Sequence, residues 1–339
     1  MATSTGERLI DLTEGERHPD RGTAGGDRGR DADRPGEVPA KGFKDVALRV
    51  KDEAKEDNLS LLSAGVAFYL LLAMFPALAA IVSVYGLVAD PSEVAQQVTD
   101  LTGTLPQEAQ SLITDQLEKI TEEQQGIGVT LAVSVLAALW AASSGVKNLI
   151  AAVNVAYDEC ETRKFFKLRG LALALTLGAV LFAVVAIGVI AVLPVMVSEL
   201  PFGGAGRMLV QVASYVGLAL AFIVGLAVLY RYAPDRDAPR WRWVSWGAVI
   251  ATALWVLGSV AFSVYVSNFG SYGETYGSIG AVIVLMLWLV ITAFAIILGA
   301  EINSELEAQT AKDSTVGSPE PMGRRGAVKA DELGEPADR

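Results

Sequence analysis

The sequence predicts an all-α, polytopic membrane protein built as a six-transmembrane-helix bundle. The chain has 339 residues, of which 52% are hydrophobic and 19% are charged. The charged residues collect near both ends and in short connectors, and long apolar runs lie between them. A membrane-crossing helix needs about 20 consecutive, mainly apolar residues, and these runs are near or above that length.

The six apolar runs are separated by connectors that are alternately poor and rich in lysine and arginine. The runs lie at residues 60–89, 126–153, 171–197, 208–232, 244–266 and 278–300, within a membrane domain predicted at 41–308. Lysine and arginine concentrate in residues 41–59, 163–169 and 231–242. Because cytoplasmic loops are enriched in these residues, the sequence predicts a multi-pass protein of the cytoplasmic (inner) membrane, with the N-terminus and the C-terminus in the cytoplasm.

Polar segments flank the membrane domain and are not expected to join its core. Residues 1–40 and 309–339 have few aromatic and β-branched residues, which predicts disordered cytoplasmic tails. Deleting residues 1–40 and 312–339 should therefore leave insertion and folding intact. Residues 42–57 have one apolar helical face and lysines elsewhere around the helix. This pattern favours a helix on the cytoplasmic membrane surface, and a solvated helix packed on a loop is the alternative.

The longest connector predicts a short helical cap on the outer side, at residues 91–124. The whole connector, residues 90–125, carries eight acidic residues against the single lysine Lys119. A solvated acidic face explains this composition, and a vestibule that attracts cations is the alternative.

The sequence contains no concentrated set of catalytic groups. One cysteine, Cys160, and one histidine, His18, exclude an intramolecular disulfide and a zinc site built from these residue types. The net charge of -11 argues against a nucleic-acid partner. Walker A, GxSxG and HExxH motifs are also absent from the sequence. We expect no catalytic residue, cofactor or metal ion. Membrane lipids are the expected partners, and a homo-oligomer or an envelope partner stays open.

Polar residues inside or beside apolar runs are the candidates for a functional site, because burying a charge in lipid is costly. Lys147 either faces the bundle or snorkels to the cytoplasmic interface. Asn148, Asn154 and Tyr157 either link helices by hydrogen bonds or line a polar cavity. Glu301 is expected at the cytoplasmic end of the sixth run, either exposed or paired with Lys147, which lies at a similar depth.

Pro76 interrupts the first apolar run. Proline removes a backbone donor and bends a helix. The kink is either purely structural or leaves carbonyl groups that bind ions or polar head groups in a cavity.

Several short motifs, taken in order, resemble the YihY/BrkB family of inner-membrane proteins. They are Ala64-Gly-Val-Ala-Phe-Tyr69, Phe75-Pro-Ala77, Tyr85-Gly86, Leu139-Trp-Ala-Ala-Ser143, Asn154 with Tyr157, Leu229-Tyr-Arg-Tyr-Ala-Pro234, Tyr276-Gly-Ser-Ile-Gly280 and Leu298-Gly-Ala-Glu301. The resemblance covers about residues 42–308 and implies a compact six-helix membrane domain. It implies no established activity, although the family was formerly described as ribonuclease BN.

These features favour an integral membrane protein that transports or binds a lipid-like or small polar solute. The kinked first helix, the intramembrane polar residues and the amphipathic flanking segments support that function. The acidic outer connector and the long tails support the alternative, a non-transporting envelope scaffold. Ribonuclease activity is not expected, because RNA hydrolysis needs metal ligands or a general acid–base pair in a soluble, basic site.

Overall fold

The computed structural model describes residues 28–85, 129–193, 204–268 and 278–336. Within these ranges the backbone is mainly helical, and an isolated bridge between Pro239 and Thr315 is its only β-pairing. The helices are α1 (Ala40–Glu56), α2 (Leu59–Tyr85), α3 (Val129–Ala156), α4 (Phe165–Ile187), α5 (Gly204–Tyr232), α6 (Trp241–Asn268), α7 (Ser278–Glu307) and α8 (Val328–Asp331). Among these described helices, six, α2 to α7, are long and apolar enough to cross a membrane. This result confirms the predicted fold class.

α7 contacts α1, α2, α3, α6 and α8. Further contacts join α2 to α3, α3 to α4, α4 to α5, and α5 to α6, so the helices form a closed ring. The buried core lies where α3 and α7 end, around Ile150, Val153 and Ile297. The outer surface exposes large apolar side chains along the transmembrane helices, including Leu61, Leu136, Leu209 and Leu257. Such a surface suits contact with lipid rather than water.

α7 continues to Glu307, whereas the sequence predicts that the last apolar run ends at 300. The extra turns form because Ile302 and Leu306 pack against the apolar face of α1. The expectation that Glu301 closes the helix is therefore wrong, and this residue lies inside α7, where it is buried.

α6 and α7 make a close backbone contact at two glycines. A Cβ atom on Gly247 would collide with the carbonyl oxygen of Gly299, and one on Gly299 would lie 2.9 Å from the carbonyl oxygen of Gly247. Asn303 fastens the contact, because its Oδ1 accepts a hydrogen bond from the Gly247 N–H at 2.8 Å and its Nδ2 donates to the Val244 carbonyl at 3.2 Å. Small residues let membrane helices approach closely enough for this packing.

The helix predicted at 42–57 is present as α1, and its apolar face is partly covered by protein. Val46 and Val50 are buried in a cluster with Trp243 and Leu306. An apolar groove of about 250 Å³ remains between α1, α6 and α7, with Phe43 in its lining. The position of α1 relative to a membrane stays a prediction.

The predicted disorder of the tails is wrong for the described residues 28–40 and 309–336. Arg28 pairs with Asp45 of α1 at 2.8 Å, and Ala32 and Val38 are buried. Residues 309–336, hereafter the C-terminal segment, are ordered by polar contacts. Within it, the Arg325 guanidinium donates to the backbone carbonyls of Ala311, Lys312, Glu320 and Ala330. The sequence predicted disorder because these residues have low hydrophobicity. In the structure, hydrogen bonds hold the segment in place of an apolar core. The predicted outer cap at 91–124 lies outside the described residues, as do residues 1–27 and 337–339.

Candidate functional site

Carboxyl side chains converge at the end of the bundle where α1, α3 and α7 end. Glu53 lies in the last turn of α1, and Asp57 directly follows that helix. Glu301 and Glu305 are one helical turn apart on α7 and therefore share a face. Asp158 follows α3 with a φ of 55°, a left-handed conformation that Asp tolerates better than most residues. We call these side chains the carboxylate cluster.

Lys329 of α8 places a positive charge within the carboxylate cluster. Its Nζ lies 2.7 Å from Glu305, 2.8 Å from Asp158 and 3.0 Å from Glu53. Burial lowers the pKa of the Lys329 ammonium group, but the neighbouring carboxylates, led by that of Glu305, outweigh burial and raise the pKa overall. Lys329 therefore stays protonated and fastens the C-terminal segment to α1, α7 and the end of α3.

Arg49 of α1 is a second cation at this end and pairs with the Glu305 carboxylate. Its Nη2 also donates to the Glu305 backbone carbonyl and to Gln309 Oε1, both at 2.9 Å. Two cations, Arg49 and Lys329, therefore neutralise the negative charge of the Glu305 carboxylate.

Asp57 and Glu301 differ from the other members of the carboxylate cluster, because no lysine or arginine of the described residues forms an ion pair with them. Within the described ranges the ion pairs of the cluster involve Glu53, Asp158 and Glu305. Burial raises the pKa of the Asp57 carboxyl group. Glu301 is 1% exposed, and its Oε1 has no hydrogen-bond partner among the described residues.

Arg236 and Glu307 form a separate ion pair next to the carboxylate cluster. Arg236 Nη2 lies 2.6 Å from Glu307 Oε2, and both side chains are fully buried. Ser314 of the C-terminal segment donates a further hydrogen bond to Glu307 at 2.8 Å. The guanidinium group of Arg236 lies over the ring of Tyr157, 5.2 Å from its centroid. Tyr157, a predicted site residue, is therefore a buried packing partner of this pair.

Asn154 links the connector that follows α3 to the connector that follows α5. Its Nδ2 donates to Glu161 Oε2 at 3.0 Å, and its Oδ1 accepts from the Asp235 N–H at 2.8 Å. Arg163 pairs with both carboxylates, at 2.5 Å for Glu161 and 3.5 Å for Asp235. Of the two roles open for Asn154, these contacts favour the structural link.

The structure does not join Lys147 and Glu301 as the sequence predicts. Lys147 is exposed on α3 and Glu301 is buried, and the described chain contains no ion pair between them. The pairing was predicted from the similar depth of Lys147 and Glu301 along their helices. Depth does not show which way a side chain points, and one of these side chains is exposed whereas the other is buried. The exposed position of Lys147 fits the snorkelling alternative. Asn148 donates to the Ser144 carbonyl of its own helix at 2.8 Å, so this contact links no second helix.

Pro76 lies inside α2, which continues beyond it to Tyr85. The packing nearby is tight, because a Cβ atom on Gly145 of α3 would lie 2.8 Å from the Ala73 Cβ. The kink and any binding role of Pro76 stay predictions.

Sequence reasoning missed the cations that surround the buried acids. Lys329 lies in a polar stretch without apolar periodicity, and Arg236 lies in a connector whose basic residues suggested only membrane orientation. Arg169 also seemed to be a connector residue, yet its guanidinium lies 4.1 Å from the ring centroid of Trp140 and is largely buried. Of these cations, only Arg169 had a local indication of burial in its sequence, because the predicted apolar run begins two residues after it, at 171.

The fold and the polar end of the bundle define an integral membrane protein with six candidate spanning helices in its described part. The chain belongs to the BrkB family, because the family model described as virulence factor BrkB matches residues 50–322. The matched range includes every member of the carboxylate cluster, whereas Lys329 lies beyond it.

Individual relatives support this assignment. The chain is 34% identical to the ribonuclease-like protein YfkH of Bacillus subtilis (strain 168), over 72% of this chain and 88% of YfkH. It is 21% identical to the UPF0761 membrane protein NTHI0384 of Haemophilus influenzae (strain 86-028NP), over 78% of this chain and 96% of that protein. It is 30% identical to the UPF0761 membrane protein PM1616 of Pasteurella multocida (strain Pm70), over 41% and 42% of the two chains. No solved structure matches the chain.

Proposed function

We propose that this protein binds a lipid-like or small polar solute and transports it across the cytoplasmic membrane. The observation that carries the proposal is Glu301, a buried carboxyl group in α7 of a largely apolar bundle. A carboxyl group in such a position is costly unless it is paired or lines a polar path, so it marks a candidate solute site.

The surroundings of Glu301 support a binding role. Lys329 and Arg49 form ion pairs with Glu53, Asp158 and Glu305, and neither Asp57 nor Glu301 forms an ion pair among the described residues. A solute that carries a cation or hydrogen-bond donors would compensate Asp57 and Glu301. The exposed apolar surfaces of α2 to α7 supply the contact with membrane lipids.

The orientation belongs to the same proposal. The connectors after α3 and α5 hold Arg163, Lys164, Arg236 and Arg240, and they lie at the end of the bundle that carries the carboxylate cluster. Because such residues concentrate on the cytoplasmic side, this end faces the cytoplasm. Residues 28–40 and the C-terminal segment are then cytoplasmic too.

Flux through reconstituted vesicles tests the transport proposal. The full chain is placed in vesicles of phosphatidylcholine and phosphatidylglycerol that contain a trace of NBD-labelled phospholipid, and external dithionite reports on lipid crossing. Osmotic shrinkage in glycerol and in sorbitol reports on small polar solutes. We expect flux above that of empty vesicles by at least one probe, and a loss of that flux in Glu301→Gln.

The matched control is Glu56→Gln, because Glu56 is an exposed carboxylate at the end of α1, next to Asp57. This variant should keep the wild-type flux. Equal behaviour of wild-type and empty vesicles with every probe would refute the proposal, and so would equal flux in the wild type and Glu301→Gln.

The proposal does not include RNA hydrolysis, although the relative YfkH is named ribonuclease-like. The net charge of -11 does not favour a polyanionic substrate, and Lys329 engages the carboxylates that would otherwise be candidates for metal-assisted cleavage. Purified protein should show no RNA cleavage. Cleavage that survives purification and disappears in Asp57→Asn would establish the opposite.

A further inference from the structure

The groove between α1, α6 and α7, hereafter the α1 groove, is a space of about 250 Å³ whose lining side chains are all apolar. The lining includes Phe43, Ala47 and Val50 of α1, Ile250 of α6, and Leu306 of α7. Ala47 is exposed, so this part of the lining is accessible from outside the protein. Pockets that hold whole small ligands usually measure about 300–1,000 Å³, so the α1 groove has room for part of one hydrocarbon chain.

The α1 groove continues into an apolar stripe on the surface of α6. The stripe consists of Trp246, Ile250, Leu254 and Leu257, which share one face of the helix because they are spaced by four, four and three residues. Ile250 lines the groove, and the other three side chains are exposed. All four lie in the candidate membrane span of α6. A hydrocarbon chain that lies along this stripe in a membrane therefore reaches the α1 groove.

Cations from α1 and α6 flank the α1 groove. Lys44 and Lys51 are exposed and lie three residues before and four residues after Ala47, so they are its neighbours on the helix surface. Arg242 is exposed on α6, one turn before Trp246, whose ring packs against α1. Tryptophan is enriched where a spanning helix meets the lipid headgroups. These cations therefore lie at the level where the headgroup of a bound lipid is expected.

The acidic residues of α1 do not cancel this positive charge, because most of them have other cationic partners. Three form ion pairs within the described chain: Asp45 with Arg28, Asp52 with Lys55, and Glu53 with Lys329. The α1 groove thus combines an apolar interior with positive charge beside it, which suits a ligand with a hydrocarbon chain and a negative headgroup.

We propose that the α1 groove binds one acyl chain of an anionic membrane phospholipid, whose headgroup phosphate lies beside Lys44, Lys51 and Arg242. Basic amphipathic helices bind anionic lipids through both their apolar face and their cations. A zwitterionic lipid matches the apolar interior alone. Glu301 does not line the α1 groove, so this site is separate from the proposed solute site, and a loss of flux in vesicles would leave the inference unaffected.

Native mass spectrometry of the full chain in detergent tests the site. The protein is titrated with phosphatidylglycerol or with phosphatidylcholine of identical acyl chains. We expect one phosphatidylglycerol per chain to be retained at least about tenfold more tightly than phosphatidylcholine, since each Lys or Arg near an anionic lipid strengthens binding severalfold. Equal retention of the two lipids would exclude the headgroup site.

Removing the α1 lysines tests the charge contribution. The double variant Lys44→Gln with Lys51→Gln should weaken retention of phosphatidylglycerol about tenfold and leave that of phosphatidylcholine unchanged. The matched control is Lys164→Gln with Lys167→Gln, which removes the same charge from two exposed lysines that do not line the groove. This control should keep the wild-type preference. An equal loss in both double variants would mean that net charge, and not the α1 groove, selects the lipid.

Filling the groove tests the place of the acyl chain. Ala47→Phe should weaken retention of both lipids, whereas Ala219→Phe, at an exposed position of α5, should not. Unfolding temperatures from tryptophan fluorescence show whether each variant is folded. If Ala47→Phe does not fold, the lysine variants still decide whether the site exists. Wild-type retention in a folded Ala47→Phe variant would exclude the α1 groove as the binding site.

The same spectra identify two other occupants, and either result would overturn the proposal. A dimer that becomes monomeric in Ala47→Phe would assign the α1 groove to a second copy of the chain. Tighter lipid retention in Leu9→Ser with Leu12→Ser would assign it to residues 1–27 of the same chain, where these apolar side chains occur.

Discussion

Arg236 and Glu307 form an ion pair that is fully shielded from solvent, with Arg236 Nη2 2.6 Å from Glu307 Oε2. Glu307 ends α7, and Arg236 lies in the connector after α5, so the pair joins the last membrane-length helix of the described chain to that connector. Ser314 brings the C-terminal segment to the same carboxylate. The pair thus holds three separate parts of the chain together.

Glu307→Gln should destabilise the protein by about 3–5 kcal/mol, because it leaves the Arg236 charge buried without a counter-charge. The measurement is thermal unfolding in detergent, followed by tryptophan fluorescence. The double variant Arg236→Gln with Glu307→Gln should be less destabilised than the sum of the single variants, since it leaves no unpaired charge. Simple additivity would mean that the two side chains do not act as a pair.

Asn154→Ala should lower stability by about 1–3 kcal/mol, because it leaves buried hydrogen-bonding groups of two connectors unsatisfied. Asn148→Ala is the matched control on the same helix, and it should change stability by no more than about 0.5 kcal/mol. Equal effects of the two variants on the unfolding temperature would show that the hydrogen bonds of Asn154 to the two connectors add no stability.

The connector network should weaken in acid. Hydrogen bonds from Arg163 lower the pKa of Glu161 below its ordinary value of 4.5. Burial raises the pKa of Asp235, but hydrogen bonds from Thr162 and the charge of Arg163 outweigh burial and lower it below 3.8. Lowered carboxyl pKa values stabilise the fold near neutral pH, and this stability is lost as the pH falls through them.

Unfolding temperatures measured from about pH 7 to about pH 3, across the ordinary carboxyl range, check this prediction. Glu161→Gln should be less stable than the wild type near neutral pH and should lose less stability in acid. A wild-type stability that stays constant over this range, or a variant with the same acid response, would argue against the network.

Gly247→Ala should separate α6 from α7 and destabilise the protein by about 1–3 kcal/mol, as added methyl groups do at tight contacts. The control is Gly217→Ala in α5, where a Cβ atom meets no heavy atom within 4 Å. That variant should retain wild-type stability. Wild-type stability in Gly247→Ala would indicate a wider spacing between α6 and α7.

Cys160 provides a direct test of orientation, because it is the single cysteine of the sequence and is exposed in the connector after α3. A membrane-impermeant maleimide should label it in inverted vesicles and not in intact cells. Cys160→Ser supplies the unlabelled control. Labelling in intact cells would place this end of the bundle outside.

The transmembrane part of the fold was predictable because lipid imposes length and apolarity on each spanning helix. The end of α7 was not, since Glu301, Glu305 and Glu307 look locally like the polar limit of a span. Their burial depends on partners far away in the sequence, including Arg49 for Glu305 and Arg236 for Glu307.

The candidate site was only partly predictable for the same reason. Glu301 was identified because a charge beside an apolar run is unusual, and Asn154 was identified as polar without its partners being known. Lys329 could not be found, because nothing in its local sequence distinguishes it from a solvated lysine. Its role follows from a position that only the packed C-terminal segment provides.

Lys329 also imposes an order on biosynthesis. It lies 24 residues after Glu305 along the chain, so the ribosome completes α7 well before the ammonium partner of that helix exists. Glu305 has two cationic partners in the folded protein, and one of them, Arg49, has already been synthesised at this stage. Assembly of this end therefore finishes only after the last membrane helix has been made, and a nascent chain arrested before Lys329 presents the cluster in an incomplete form.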